Sequence, residues 1–98
     1  MKYRFSAKAD RDIESIWYYT FENWSLEQAD TYYKQIIAEI KRLAAKPDSG
    51  RNFSHLGKQY RFSRVNSHIV FYQAVSPNEI EVVRILHKRM DIANRLLD

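Results

Sequence analysis

The chain has 98 residues with no cysteine, two glycines and two prolines, and it carries 16 Lys and Arg against 12 Asp and Glu. That length admits one domain with one core, burying roughly two-thirds of the unfolded surface, and the missing thiol excludes a disulfide scaffold, a cysteine metal site and a thiol nucleophile together. A 45% hydrophobic share excludes disorder, and no apolar run approaches the roughly 18 residues of a membrane span.

Met1 to Phe5 alternates Tyr3 and Phe5 with Lys2 and Arg4, the period of a strand with one solvated face. No apolar stretch of secretory-signal type occurs there, so a cytoplasmic protein without a membrane partner is expected. Ser6 is placed to cap a helix over AKADRDIESIWYYTFENW, in which Ala9, Ile13, Ile16, Trp17, Thr20 and Trp24 recur on one face. Ser25, with Gln28 three residues on, opens a second helix whose inner face is Ala29, Tyr33, Ile36, Ile37, Ile40, Leu43 and Ala44. It ends at Lys46, because the residue before Pro47 is pushed out of the helical region. Two amphipathic helices this closely joined lie antiparallel as a hairpin.

Pro47-Asp48-Ser49-Gly50 is turn chemistry, and a loop is expected to run on to about Gly57. Gln59 to Ser63, Ser67 to Val75 and Ile80 to His87 read as three strands, with turns at Val65-Asn66-Ser67 and Ser76-Pro77-Asn78. Met90 to Leu97 is a short helical pattern. The order is β-α-α-β-β-β-(α), a single α+β domain over residues 1–98. Its N-terminal strand and three-stranded antiparallel meander form one sheet beneath the helical hairpin.

Charge is distributed unevenly. Residues 1–47 hold eight basic and seven acidic side chains, whereas residues 48–98 hold eight and five. No acid falls between Gly50 and Asn78, where Arg51, Lys58, Arg61 and Arg64 all lie. That stretch should attract an anionic ligand or an acidic protein. Arg61, Arg84 and His87 on neighbouring strands are the types a metal-free ribonuclease uses, arginine for developing charge and histidine as acid or base. The competing reading pairs both arginines with carboxylates such as Glu81, or with a partner's. His55, His68 and His87 lack metal-ligand spacing, so no metal and no cofactor is expected. Trp17-Tyr18-Tyr19 and Tyr32-Tyr33 put aromatics on adjacent helix positions. Trp17 and Tyr33 should face inward, leaving Tyr18 or Tyr32 exposed or laterally packed, and an exposed aromatic there would serve as a protein-binding anchor.

These residues carry a family resemblance. Ala9-x-x-Asp12-Ile13, Ile16-x-x-Tyr19, Trp24, Gln28-Ala29, Tyr32 or Tyr33 and Leu43-Ala44-x-x-Pro47-x-x-Gly50-Arg51 come first. Tyr60-Arg61, His68-Ile69-Val70-Phe71-Tyr72 and Val82-x-Arg84-Ile85-Leu86-His87-x-x-Met90-Asp91 follow. In this order, over residues 9–91, they resemble the ParE branch of the RelE/ParE toxin superfamily. The resemblance implies a RelE-like fold and a toxin neutralised by a ParD-like antitoxin. It also implies that DNA gyrase, engaged together with DNA, is blocked and replication with it.

RelE-type relatives instead cleave mRNA on the ribosome with several sheet lysines and arginines and a C-terminal tyrosine. Here that tyrosine is absent, the segment reading His87-Lys88-Arg89-Met90, and in place of a lysine cluster just before Arg61 there is Lys58 alone. The expectation is therefore a binding toxin, with Arg61, Arg84 and His87 as the catalytic set of the alternative reading. An acidic antitoxin tail is expected across Lys58, Tyr60, Arg61 and Arg84, with apolar anchors near Tyr18 and Trp24. His87, Lys88, Arg89 and Met90 are expected to contact the target, and a higher-order toxin–antitoxin assembly is compatible with this arrangement.

Overall fold

The computed structural model describes residues 2–55 and 57–96, with His55 by its backbone. Met1 and Leu97, which the sequence pattern assigns to the first strand and the last helix, lie outside them. Strand β1 (Lys2–Phe5) leads into α1 (Ala7–Asn23) and α2 (Leu26–Ala45), and a 3-10 turn over Pro47–Ser49 follows. Then come β2 (Arg51–His55), β3 (Lys58–Val65), β4 (His68–Ser76), β5 (Glu79–His87) and the short α3 (Ile92–Arg95). The strands form one sheet in the order β1-β5-β4-β3-β2. All neighbours are antiparallel except β1, which runs parallel to β5 with Lys2 opposite Glu79 and Phe5 opposite Val82.

The helix starts follow their caps. Ser6 Oγ accepts the Ala9 N–H at 3.0 Å and donates to the Val83 carbonyl at 2.8 Å, so one hydroxyl both caps α1 and fastens it to β5. Ser25 Oγ accepts the Gln28 N–H at 3.0 Å, as the Ser25–Gln28 spacing predicts. The hairpin lays Ala9 and Ile13 of α1 and Ile36, Ile40, Leu43 and Ala44 of α2 on Val70, Tyr72, Ile80, Val82 and Ile85 of the sheet. Each fully buried Ile, Leu or Val contributes about 2 kcal/mol, more than any helix propensity in these segments. Burial is what holds the hairpin down.

The structure departs from the sequence reading in three places. Residues Arg51–His55 are not loop but an edge strand, paired with Phe53 opposite Tyr60, so the meander has four strands instead of three. One apolar residue among polar neighbours gives no alternation to detect. The strand is secured by the Phe53 ring, 5.5 Å from Phe71 and 6.3 Å from Phe62 on the face away from the helices. Tyr33 is exposed instead of facing inward, while Tyr32 is half-buried, packed laterally against the sheet. Both positions fit helical spacing from Ala29 to Ile36, but only Tyr32 finds hydrogen-bond partners, at Val65 and His68. Trp24 ends α1 at the bend and is 62% exposed instead of lying on its inner face. Trp17 is half-buried, stacked on Phe21 and donating its indole N–H to Asp30 at 3.0 Å.

Candidate functional site

Antiparallel partners share a face of the sheet, and that rule separates the two predicted arginines. Arg61 lies opposite Tyr72, which packs under the helices, whereas Arg84 lies opposite Phe71, one residue earlier on β4. Arg61 and Arg84 thus leave opposite faces, on strands separated by β4.

Arg61 holds the turn after α2. Its guanidinium donates to the carbonyls of Gly50 at 2.9 Å and Asp48 at 3.3 Å and lies 3.6 Å from the exposed Asp48 carboxylate. Tyr72 secures the same turn from beneath, donating its hydroxyl to the Pro47 carbonyl at 2.6 Å and accepting the Gly50 N–H at 3.0 Å. A Cβ on Gly50 would collide with that hydroxyl, which is why glycine stands there. Burial pushes the Tyr72 phenol above its usual range, so it remains a donor. Beside it Glu39 receives a forked pair of bonds from Arg42, both at 2.7 Å, and the Ser63 hydroxyl. The Arg42 bonds, with help from Ser63, hold its carboxyl below the usual range against the opposing effect of burial.

Arg84 is committed differently. β1 pairs with β5 only as far as Val82, which leaves the remaining β5 edge to be satisfied by other groups. Ser6 takes the Val83 carbonyl, and Asp12 accepts the Ile85 N–H at 2.9 Å. The same carboxylate receives the Arg84 fork at 2.8 and 3.0 Å, with the two side chains only 13% and 15% exposed. Arg84 also donates to the Arg95 carbonyl at 2.8 Å, tying α3 to the strand. The sequence reading named Asp12 only as part of the family motif and gave it no partner. Its three-residue step from Ala9 and four-residue step to Ile16, on the inner face of α1, was the signal for this contact.

His87 and the turn after it form a second structured spot. His87 Nδ1 accepts the Arg89 N–H at 3.1 Å, and its carbonyl accepts the Met90 N–H at 2.9 Å. The neutral His87 ring therefore carries its proton on Nε2. Its ring stands edge-to-face against His68, centroids 5.2 Å apart. Tyr32 has one hydroxyl proton and the Val65 carbonyl can only accept. Donation there, at 2.9 Å, leaves the phenol oxygen to accept from His68 Nδ1–H at 2.6 Å. Burial first, and the neighbouring His87 second, push the His68 pKa down to about 4. Around the two rings a groove of about 490 Å³ is walled by Ile16, Tyr19, Ile85 and Met90.

The predicted site residues thus fall into separate groups. Arg61, Arg84 and His87, the set of the nuclease reading, do not converge on one point, because Arg61 is spent on the turn after α2 and Arg84 on Asp12, whose carboxylate also borders the groove around His87. Lys58 is exposed and Arg61 partly so, while Tyr60 is 8% exposed and offers no open ring face. Lys88, Arg89 and Met90 are exposed on the turn beyond β5. Tyr18 and Trp24 are exposed at the bend of the hairpin, a 20-residue helix away from the Arg61 turn, or about 30 Å. Arg51 and Arg64, which flank Phe62 on the outer face of β2 and β3, are exposed cations that the sequence reading counted without assigning to a site. Among the described residues no group of three or more His, Asp or Glu is placed to hold a metal, and no helix is long and apolar enough to cross a membrane.

Comparison with known proteins identifies the family. Residues 3–92 match the family described as the ParE toxin of the type II toxin–antitoxin system parDE. Toxin ParE1 of Mycobacterium tuberculosis is 36% identical over 95 residues, covering 97% of each chain. Toxin ParE1 of Caulobacter vibrioides is 35% identical over 91% of each, and Toxin ParE of Escherichia coli is 34% identical over 98% of this chain and 93% of that one. A solved chain of the chromosomal ParDE system of P. aeruginosa superposes with a TM-score of 0.73 over 89% of this chain and 95% of its own, at 19% identity, and shares the fold. The chain belongs to the ParE toxin family of type II toxin–antitoxin systems.

Proposed function

We propose that the chain arrests growth in the cytoplasm by binding DNA gyrase on DNA, without hydrolysing anything itself, and that a ParD-like antitoxin neutralises it. The observation that carries the binding reading is the commitment of the two candidate catalytic arginines. Arg84 is forked onto Asp12 of α1 at the β5 edge and Arg61 holds the Gly50 carbonyl after α2, on strands separated by β4. A phosphoryl centre needs its cations converging on one reacting group, and this arrangement supports none.

The antitoxin's acidic tail is drawn to the flank of β2 and β3. Arg51, Lys58, Arg61 and Arg64 lie there in a stretch, residues 51–77, without a single acid. Tyr60 supports that flank from below the surface. Arg84 acts on the partner only through the α3 segment it holds, and Lys88, Arg89 and Met90, on the turn fixed by His87, form the element offered to gyrase. Tyr18 and Trp24, exposed at the hairpin bend a helix length from that flank, remain candidate apolar anchors for the antitoxin and not contacts of its acidic tail. Purified chain added to gyrase and plasmid should trap cleaved or unprocessed plasmid. Added to programmed ribosomes it should leave mRNA intact. Ribosome-dependent mRNA fragments with gyrase untouched would overturn the reading.

A further inference from the structure

The bend of the α1–α2 hairpin is the most apolar exposed part of the molecule. Tyr19 and Trp24 are each 62% exposed, and Tyr18, Phe21 and Leu26 are exposed beside them. Tyr19 and Trp24 contact each other, with centroids 6.1 Å apart. Between residues 14 and 33 the chain carries Glu14, Glu22, Glu27 and Asp30 and no Lys or Arg. An acidic tail is repelled from such a surface, so its occupant is cationic.

The same molecule displays that counterpart. On the outer face of β2 and β3 a groove of about 480 Å³ is lined by Arg51, Phe62, Arg64 and Ile69. Residues 51–77 carry four cations and no acid, opposite in sign to the four acids of the hairpin bend, which outnumber the Arg11 that stands beside Glu14 and Glu22. Arginines bordering an aromatic floor suit an incoming indole or phenol ring, with the guanidinium over the ring face and carboxylates alongside. The groove reaches Gly50, just beyond the C-terminal end of α2, and the bend lies at the N-terminal end of that 20-residue helix. A rod of about 30 Å keeps a chain from docking its own bend into its own groove.

The geometry points to head-to-tail self-association, in which the hairpin bend of one copy seats Trp24 and Tyr19 between Arg51 and Arg64 of a second copy. The contact is heterologous, so it leaves a free bend at one end and a free groove at the other and extends into chains or rings. It concerns the isolated toxin and does not depend on gyrase or on an antitoxin.

Sedimentation velocity on the purified chain tests it. The wild type associates in low salt, and its dissociation constant rises at least about tenfold by about 0.5 M salt as the opposed charges are screened. The bend variant Glu22→Lys/Glu27→Lys and the groove variant Arg51→Glu/Arg64→Glu each sediment as monomers, with circular dichroism unchanged because all four side chains are exposed. Mixed one to one, the two variants associate again and grow as alternating copies, since the untouched groove of one meets the untouched bend of the other and the two charge-reversed surfaces are complementary as well. Trp24→Ala, which changes no charge, also weakens the wild-type association. A monomeric wild type, a variant that still associates alone, or a mixture that stays monomeric overturns the proposal. A monomeric wild type whose bend variants lose their hold on the antitoxin assigns the bend to that partner instead.

Discussion

Acidifying the protein from pH 7 to pH 5 charges His68 in the unfolded chain but not in the fold. Burial and the adjacent His87 lower its pKa from 6.5 to about 4, so between those values the unfolded state binds more protons. Stability is therefore complete above about pH 7, falls as pH drops through this interval, and stops falling below the folded value, where both states are protonated. Linkage over the pH 7 to 5 step gives about 2 kcal/mol. Water reaching the half-buried ring reduces this to about 1–2 kcal/mol, or roughly 5–10 °C in Tm for a domain of this size. The assay is thermal unfolding by circular dichroism at pH 7, 6 and 5 and fixed ionic strength, for the wild type and His68→Asn. Other titrating groups act on both proteins and cancel in the difference. The wild type's advantage over His68→Asn should shrink by the stated amount between pH 7 and pH 5. A gap that stays constant across that range refutes the reasoning.

Three other perturbations follow from the described contacts. Tyr72→Phe strips the Pro47 carbonyl and Gly50 N–H of their partner and should cost about 1–3 kcal/mol in urea unfolding; a loss under about 0.5 kcal/mol contradicts that role. Asp12→Ala removes the carboxylate that the Arg84 guanidinium and the Ile85 N–H share and should cost about 3 kcal/mol, whereas Asp12→Ala with Arg84→Met recovers much of it. A double variant no more stable than Asp12→Ala alone counts against the pair. Lys58→Glu with Arg64→Glu should weaken antitoxin binding at least about tenfold at low salt, and the difference should close near 0.5 M salt. Unchanged affinity in a titration moves the acidic tail elsewhere.

Most of the fold is legible in the sequence because the helices and the inner strands are long and periodic. Ser6 and Ser25 mark both helix starts, Pro47 marks the end of α2, and Asn66, at φ 50°, marks the turn between β3 and β4. β2 is illegible because its conformation comes from its neighbour: Arg51, Asn52 and Ser54 have no strand pattern until β3 supplies hydrogen-bond partners. The choice between Tyr32 and Tyr33 turns on a histidine 36 residues away, a distance local spacing cannot span. The site was legible as residue types and not as a constellation. Counting charge found the basic stretch of 51–77, but the alternation of the pleat sends Arg61 and Arg84 to opposite faces, and two hydrogen-bond networks occupy them.

The parallel pairing of β1 with β5 also sets an order in time. Lys2 to Phe5 find their ladder only at Glu79 to Val82, and the Ser6 and Asp12 side chains that finish the β5 edge wait for Val83 and Ile85. A nascent chain emerging at about 5–20 residues per second holds β1 and both helices without a sheet edge to receive them until β5 is out of the ribosome. Such long-range closure makes folding a late event. The hairpin's apolar face stays open until then, and the toxin acquires its working shape only once β5 has emerged.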